Sequence, residues 1–335
     1  MRTAMRVMIV GRTEFLLSSA RLIAGDHTIA GVLTAPSSPE NKATESDFEQ
    51  FAREQGAAFR SARRIDADIV AWAKSLNADI AVSMNWVSVM REDFCSLFRF
   101  GVLNAHLGDL PRYRGNAVIN WAMLNGENEI ALTIHKVIPD ELDSGPIAAQ
   151  RKLPLDERTT VADVLSFCIA GLPELYRQVV TAIGDGTQVW MDQDKRGLTP
   201  FRCYPRIVRD GRIDWSGPAI QIDALIRSLA RPYPGAYTYY RIPEGALHKL
   251  FVWKSRLVSA ETADLGVAGH VIRNDPKSGE SWIYTGSGVI ALCEVSHESD
   301  GYTFKPGHVW RSIRMRLGMD VEEELFRLAT MRERG

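Results

Sequence analysis

Three residues of types that suit acyl transfer to an amine follow two apolar runs of the sequence. Asn104 and His106 stand two residues apart at the end of one run, and Asp143 stands in the loop after the other. An amide N–H can stabilise a developing oxyanion, an imidazole can move a proton near neutral pH, and a carboxylate can stabilise the charged imidazolium. We therefore predict Asn104, His106 and Asp143 as catalytic residues.

The same residues also have simpler interpretations. A single histidine after a strand is more often a structural hydrogen-bonding group, and His106 with Asp109, Asp140 or Asp143 would also suit a metal ion. No second well-placed histidine is apparent in the sequence, so we predict a site without metal. Residue types and spacing alone leave the structural and catalytic interpretations open.

The elements that would position these residues alternate along the first part of the chain. Apolar runs predict strands at residues 6–10, 28–34, 80–83, 102–104 and 130–138, with helical patterns at 15–24 and 69–76. This alternation predicts an α/β fold with a doubly wound, mostly parallel sheet covered by helices. Ligands of such sheets bind beyond the carboxyl ends of the strands, where the loops of His106 and Asp143 begin.

Composition shifts divide the chain into predicted domains. Residues 1–195 form the catalytic domain, and residues 196–211, which carry several arginines and prolines, form a linker. Residues 212–319 contain short β-like runs between turn residues, which predicts a small β-barrel. Residues 320–335 have the pattern of a charged amphipathic helix.

Composition also excludes several classes of protein. The 335 residues are 45% hydrophobic and 24% charged, which excludes a disordered chain, and no run of about 18 apolar residues could span a membrane. A net charge of -1 gives no overall attraction to nucleic acid or anionic lipid. Four isolated cysteines and the lack of a signal-peptide pattern favour a reduced, cytoplasmic protein.

Several longer motifs occur in a fixed order over most of the chain. They are Gly101-Val-Leu-Asn-Ala-His-Leu-Gly-Asp-Leu-Pro-Arg-Tyr-Arg-Gly115, Ile119-Asn-Trp-Ala122, Leu132-Thr-Ile-His135, Leu142-Asp-Ser-Gly-Pro-Ile147, Ile213-Asp-Trp-Ser216 and Arg231-Pro-Tyr-Pro-Gly-Ala236. Together they resemble the 10-formyltetrahydrofolate-dependent formyltransferases that act on methionyl-tRNA or on sugar nucleotides. The resemblance implies a Rossmann-like catalytic domain followed by a small OB-like barrel.

The resemblance also implies a role for each matching residue. Asn104 steadies the tetrahedral intermediate, His106 shuttles the proton, and Asp143 supports the charged imidazole, with 10-formyltetrahydrofolate as the formyl donor. Asn116 stands where sugar-nucleotide relatives place Arg. The implied folate contacts are Ser88, Val89, Met90, Asn116, Pro139, Asp140, Glu141 and Leu142.

The amine acceptor is predicted from charge. Residues 205–335 carry 18 Lys and Arg against 16 Asp and Glu, and the loop at residues 34–45 is not basic, whereas tRNA would favour a strongly basic second domain. A diphosphate needs only a few arginines, because a guanidinium binds phosphate oxygens through two parallel hydrogen bonds. We therefore predict a nucleotide-linked amino sugar for surface polysaccharide or lipopolysaccharide. Its candidate contacts are Arg12, Arg112, Arg114, Asn120 and Tyr233.

Two other functions stay open at this point. Methionyl-tRNA formyltransferase is the second enzyme interpretation. A folate- or sugar-nucleotide-binding protein that has kept the fold and lost turnover is an interpretation from another class. We expect neither a membrane nor a nucleic-acid partner, and a homodimer is a further expectation because the barrel and the last helix offer surfaces for self-association.

Overall fold

The computed structural model describes residues 4–38, 41–241, 247–258, 265–299, 301–319, 325, 329 and 330. The chain forms two compact units. The first is Met1–Ala122, Glu127–Asp156 and Asp163–Pro205, and the second is Met123–Gly126, Glu157–Ala162 and Arg206–Gly335. Within the described ranges, no helix is both long and apolar enough to cross a membrane.

The first unit is built around a seven-stranded sheet. The strands up to the end of this unit are β1 (Arg6–Gly11), β2 (Thr28–Thr34), β3 (Ala58–Ser61), β4 (Ile80–Met84), β5 (Val102–His106), β6 (Arg114–Gly115), β7 (Glu129–Lys136), β8 (Ile147–Pro154) and β9 (Arg202–Cys203). The order in the large sheet is β3-β2-β1-β4-β5-β7-β8, and β6 pairs separately with β9. Strands β1 to β5 run parallel, whereas β7 is antiparallel to β5 and β8.

Within the described residues, helices accompany these strands. They are α1 (Glu14–Ile23), α2 (Glu45–Glu54), α3 (Ala67–Ser75), α4 (Glu92–Cys95), α5 (Val118–Leu124) and α6 (Val161–Gly184). Local capping sets where they begin: the Thr13 hydroxyl accepts from Leu16 N at the start of α1, and Thr44 forms a capping box with Asp47 at the start of α2. Oxygen atoms at these positions satisfy backbone N–H groups that the first turn leaves unpaired.

The prediction of a doubly wound, mostly parallel sheet is confirmed. Its central strands β1 and β4 are almost entirely buried, which explains their continuous apolar runs. The sequence did not predict β3 or β8, because these edge strands are half-exposed and lack an apolar run. The chain order reverses between β1 and β4, and a crevice for ligands forms at such a reversal, beyond the carboxyl ends of the strands.

The second unit contains an antiparallel sheet, and the prediction of a closed barrel is not confirmed. Its elements are α7 (Ala219–Ser228), β10 (Ala236–Arg241), β11 (Leu247–Val258), β12 (Val271–Asn274), β13 (Ser281–Tyr284), β14 (Val289–His297), β15 (Thr303–Phe304) and α8 (Pro306–Val309). The order is β10-β11-β14-β13-β12, with β15 beside β14. Over the described residues, Leu317 and Arg316 make only isolated bridges to Tyr240 and His270 near the two edges, so no strand closes the sheet.

The core of the second unit lies between this sheet and α7. Ile222 and Ile226 of the helix join Leu250 and Val252 of β11 in one buried cluster. Leu250 and Val252 are two residues apart on β11, so their side chains face the same side of the sheet, toward this core. The predicted C-terminal helix at residues 320–335 lies almost entirely outside the described residues.

Candidate active site

Two neighbouring strands place the candidate catalytic residues on one face of the sheet. Because β7 is antiparallel to β5, the Asp143 loop begins beside the amino end of β5 and not at the carboxyl edge that the sequence predicted. In the antiparallel pair of β5 and β7, Asn104 lies opposite His135, and His106 lies opposite Thr133. Residues two apart on a strand face the same side, so these four side chains share one face. Asp143 follows in the loop between β7 and β8. The structure therefore brings together the three residues that the sequence singled out.

The His106 ring is held between two oxygen atoms. Its Nδ1 lies 3.5 Å from Asp143 Oδ2, and its Nε2 lies 2.6 Å from the carbonyl oxygen of Tyr113. A carbonyl can only accept, so Nε2 carries a proton and donates it to Tyr113. The ring is 7% exposed, and both of its nitrogens face oxygen atoms.

Asp143 is buried and held by groups on both oxygen atoms. The Gly115 N–H donates to Oδ2 at 2.9 Å, and His135 Nε2 lies 3.4 Å from Oδ1. Burial by itself would raise the pKa of Asp143. The positive charge on His106, the hydrogen bond and charge of His135 and the Gly115 N–H outweigh burial, and they hold this pKa well below its usual range. The side chain is therefore a carboxylate at neutral pH.

His135 is a site residue that the sequence reasoning missed. Its Nε2 lies 3.3 Å from Asn104 Nδ2 as well as 3.4 Å from Asp143, and its Nδ1 donates to Lys136 O at 3.0 Å. The inference that the sequence holds no second well-placed histidine is therefore wrong. The useful signal was the cross-strand register, which is not visible until β5 and β7 are paired. In the described part of the chain, no group of three His, Cys, Asp or Glu side chains is placed to hold a metal ion.

The two stretches predicted to contact folate meet in the structure. The Asp140 N–H donates to Met90 O at 3.0 Å, which joins the segment of Ser88 and Val89 to the loop of residues 139–142. Val89 is 48% exposed, whereas Met90 is buried. Glu141 accepts a hydrogen bond from Ser144, and Pro139 and Leu142 are half-buried. The predicted contacts thus form one continuous surface, and their binding role stays a prediction.

Asn116 lies on another segment of the chain, directly after β6. It is exposed, and its N–H donates to Cys203 O at 3.1 Å, next to the pairing of β6 with β9. Asn120 of α5 is only 6% exposed. Tyr233 belongs to the second unit, where it is half-buried and its N–H donates to Ala230 O. The structure leaves the predicted ligand roles of these three residues untested.

The three candidate phosphate-binding arginines differ in what they contact. Arg112 forms an ion pair with Glu127, and Arg114 donates from Nη2 and Nε to Gln193 Oε1 at 2.6 and 3.2 Å. The predicted phosphate contacts of Arg112 and Arg114 stay predictions. Arg12, just after β1, donates from Nη1 to Pro36 O at 2.9 Å. Its Nε is buried without a hydrogen-bond partner among the described residues.

The fold and the site together agree with a comparison of sequence families. The family described as "Formyl transferase" matches residues 5–169, and the family described as "Formyl transferase, C-terminal domain" matches residues 207–304. The first match contains the whole candidate site, and the second covers most of the antiparallel sheet. The chain therefore belongs to the formyltransferase family.

The chain is similar to two curated relatives and to a solved structure. A methionyl-tRNA formyltransferase of Agathobacter rectalis is 26% identical over 87% of this chain and 91% of its own, and one of Caldanaerobacter subterraneus subsp. tengcongensis is 29% identical over 76% and 81%. Among solved structures, an N-formyltransferase from Helicobacter canadensis in complex with folinic acid and dTDP-3-aminofucose has the same fold. Its TM-score is 0.63, with 18% identity over 86% of this chain and 98% of that one.

Proposed function

We propose that this protein transfers the formyl group of 10-formyltetrahydrofolate to the primary amine of a nucleotide-linked amino sugar. The observation that carries the proposal is the meeting of Asn104, His106 and Asp143 on one face at the end of β5, within 3.5 Å of one another or of the shared partner His135. These are a neutral donor, a proton carrier and a buried carboxylate, which are the groups that acyl transfer to an amine requires.

Each residue has a step in this reaction. The acceptor amine uses its lone pair to form a bond to the formyl carbon, and Asn104 Nδ2–H stabilises the negative charge that develops on the formyl oxygen. The amine loses a proton and the departing nitrogen of the donor gains one. His106 Nε2 already carries a hydrogen, which Tyr113 O accepts in the resting structure, so it first gives this hydrogen to the departing nitrogen and then takes the proton that the amine loses. Asp143 stabilises the imidazolium before and after this exchange.

The surface joined by the bond between Met90 and Asp140 suits the proposed folate. A pteridine has an edge of hydrogen-bond donors and acceptors and two apolar faces. The backbone of residues 88–90 and 139–142 supplies polar groups, and Val87 and Val89 are 41% and 48% exposed beside them. The formyl donor supplies the activated formyl carbon, and these residues would bind and orient it.

A nucleotide-linked acceptor is supported by charge and by Arg12. Arg12 stands at the carboxyl end of β1, near the reversal of strand order, and its buried Nε has an unused N–H among the described residues. A phosphate oxygen would satisfy that donor. Residues 205–335 have a net charge of only +2 and residues 1–204 of -3, which does not favour tRNA. The similar fold of a sugar N-formyltransferase adds support.

Methionyl-tRNA formyltransferase is the second candidate, because two curated relatives of similar length carry that name. Initiator tRNA would be bound mainly through its phosphates, so its affinity should fall steeply with salt. A sugar nucleotide has two phosphates and would show a shallow dependence. The slope of log Kd against log salt concentration therefore separates the two acceptors.

The decisive experiment offers the protein both kinds of acceptor. A panel of nucleotide-linked amino sugars and initiator methionyl-tRNA is incubated with 10-formyltetrahydrofolate, and release of tetrahydrofolate is followed. We expect turnover with at least one amino sugar and none with tRNA. Turnover with tRNA alone would replace the proposed acceptor.

The variant His106→Ala separates an enzyme from a binding protein. In a catalyst kcat should fall by about 100-fold or more, because general acid–base catalysis contributes about 10²–10⁴-fold. Folate affinity should stay within about threefold, since the ring faces Asp143 and Tyr113 rather than the proposed folate surface. Wild-type protein that binds folate without turnover on any acceptor would support the binding-protein interpretation.

We also propose that the reaction takes place in the cytoplasm and serves surface polysaccharide or lipopolysaccharide synthesis. Cys95, Cys168 and Cys203 are buried free thiols, which suits a reducing compartment. Burial raises the pKa of Cys168 to about 12 and of Cys203 to about 11, so neither forms a thiolate at neutral pH.

A further inference from the structure

Gln193 uses its whole side chain to join two loops of the site. It begins a short 3₁₀ helix, Gln193–Arg196, and is 3% exposed. Its Nε2 donates to the carbonyl oxygens of Asp143 and Gly145, both at 2.8 Å. Its Oε1 accepts two hydrogen bonds from the Arg114 guanidinium, at 2.6 and 3.2 Å. A primary amide is the one uncharged side-chain group that can donate two hydrogen bonds and accept two at once.

The backbone brings Gln193 to this position. Met191 and Ile147 exchange two hydrogen bonds, of 2.9 and 2.8 Å, so the segment after α6 is fixed beside the start of β8. The sequence placed the end of the catalytic domain at residue 195 and a linker from residue 196. In the structure, Arg196 instead forms an ion pair with Asp109 at 2.8 Å, and the Arg114 N–H donates to Phe201 O. This stretch is therefore bonded to the loop that follows His106.

The loop that Gln193 holds has an unfavourable backbone conformation. Asp143 has φ = +49°, in the left-handed region that costs a non-glycine residue about 1–2 kcal/mol. The two bonds from Gln193 Nε2 lie on the carbonyls of this residue and of Gly145. On the other side, Arg114 immediately precedes Gly115, whose N–H donates to Asp143 Oδ2 at 2.9 Å. The bridge from Arg114 through Gln193 thus fixes both the donor and the acceptor of that bond.

We propose that Gln193 is a positioning residue that locks the Asp143 loop to the Arg114–Gly115 segment and so keeps the Asp143 carboxylate against His106. The inference rests on the proposed formyl transfer, because in that reaction the Asp143 carboxylate stabilises the charged His106 ring. Gln193 itself touches neither Asn104 nor His106 in the bonds above, so it acts through Asp143. It also gives the half-buried Arg114, predicted as a substrate contact, a partner within the protein.

Three substitutions separate the contacts. Gln193→Met keeps the length and removes all four hydrogen bonds. Gln193→Glu keeps a partner for Arg114 and removes both donors to the loop, whereas Arg114→Met keeps those donors. Gln188→Met is the matched control. Gln188 Nε2 donates to the carbonyl oxygen of Ala148 in β8 at 2.8 Å, and this bond does not hold the Asp143 loop.

Steady-state kinetics with a sugar-nucleotide acceptor give the first readout. For Gln193→Met and Gln193→Glu we expect kcat to fall by about 30- to 100-fold with both KM values within about threefold, since a misplacement of about 1 Å costs on the order of 10²-fold. Arg114→Met should lose about fivefold and Gln188→Met less than about twofold. A merely structural glutamine would change the melting temperature and leave kcat of the folded protein unchanged, and kcat within about threefold of wild type overturns the proposal.

A second readout needs no substrate, so it separates this inference from the proposed function. In protein with ¹³C-labelled aspartate carboxyl groups, the Asp143 signal is assigned by its loss in Asp143→Asn. In Gln193→Met the pKa of Asp143 should rise toward its ordinary value, because the carboxylate moves away from His106, His135 and the Gly115 N–H.

An unchanged pKa of Asp143 in Gln193→Met overturns the inference even if formyl transfer is established. Wild-type protein inactive on every acceptor, together with a raised pKa in Gln193→Met, would overturn only the proposed function. If Gln193→Met does not fold, Gln193→Glu gives the same comparison.

Discussion

Gly108 leaves the space in which the His106 ring meets the Tyr113 carbonyl. An added Cβ at Gly108 would lie 2.7 Å from His106 Nε2 and 2.6 Å from Tyr113 O. These are the two atoms that share the transferable proton, 2.6 Å apart. The Gly108 carbonyl in turn accepts from the Thr133 hydroxyl at 2.7 Å, which fixes this residue against β7. The loop after His106 therefore has its glycine where a side chain would displace the His106 ring.

Gly108→Ala should lower both activity and stability. A backbone carbonyl cannot move aside as a flexible side chain can, so we expect kcat to fall at least about tenfold and the free energy of unfolding to fall by about 1–3 kcal/mol. Gly25→Ala is the control, because its added Cβ would meet only Leu22 O, at 3.3 Å. Kinetics and urea unfolding test the pair, and a fully active Gly108→Ala protein would contradict the arrangement.

Asp143→Asn should show a characteristic dependence of stability on pH. The folded protein holds the pKa of Asp143 below its ordinary value of 3.8, so the carboxylate stabilises the fold above that pH. This contribution is lost as pH falls through the lower folded value. The difference in unfolding free energy between wild type and Asp143→Asn should therefore be constant from about pH 5 to pH 8 and shrink below about pH 4. Urea unfolding at a series of pH values measures this difference in unfolding free energy. A difference that grows in acid would contradict a lowered pKa of Asp143 in the folded protein.

His135 should tolerate glutamine better than leucine. The single Nε2 of His135 either donates to Asp143 Oδ1 or accepts from Asn104 Nδ2, and a glutamine amide can make either bond, whereas leucine can make neither. We expect kcat to fall about tenfold or more in His135→Leu and less than about fivefold in His135→Gln, because buried groups left unpaired cost about 1–3 kcal/mol. His27→Gln is the control, since His27 is a buried histidine at the amino end of β2, bonded to Met5 and Thr181. Equal losses in both His135 variants would argue against the two bonds.

Arg12→Met tests whether the acceptor carries phosphate. If the unused Nε–H donates to a phosphate oxygen, KM for the acceptor should rise about tenfold or more, since hydrogen bonds to charged groups contribute about 1.5–3 kcal/mol. KM for the formyl donor should stay within about twofold. The exposed Arg63→Met provides the comparison. An unchanged KM for the acceptor in Arg12→Met would contradict the proposed hydrogen bond from Arg12 to a phosphate oxygen.

Arg112 and Arg114 illustrate what residue type alone does not decide. Both stand beside the loop after His106, and a guanidinium suits a phosphate, so the sequence favoured them equally with Arg12. The structure pairs Arg112 with Glu127 and Arg114 with Gln193, which are 15 and 79 residues away along the chain. Such partners are chosen by the packing of distant segments, and no local pattern in the sequence records them.

The sequence by itself determined the mostly parallel sheet and predicted Asn104, His106 and Asp143 as one group. Apolar runs and helical periods are local properties, and Asn104 and His106 share a strand, so their common face follows from the two-residue repeat. Only the tertiary structure decided that His135 joins them, that Gln193 holds the Asp143 loop and that the second sheet stays open over its described residues. Strand register and hydrogen-bond partners depend on which distant segments meet, and that choice is made by the packing of the whole chain.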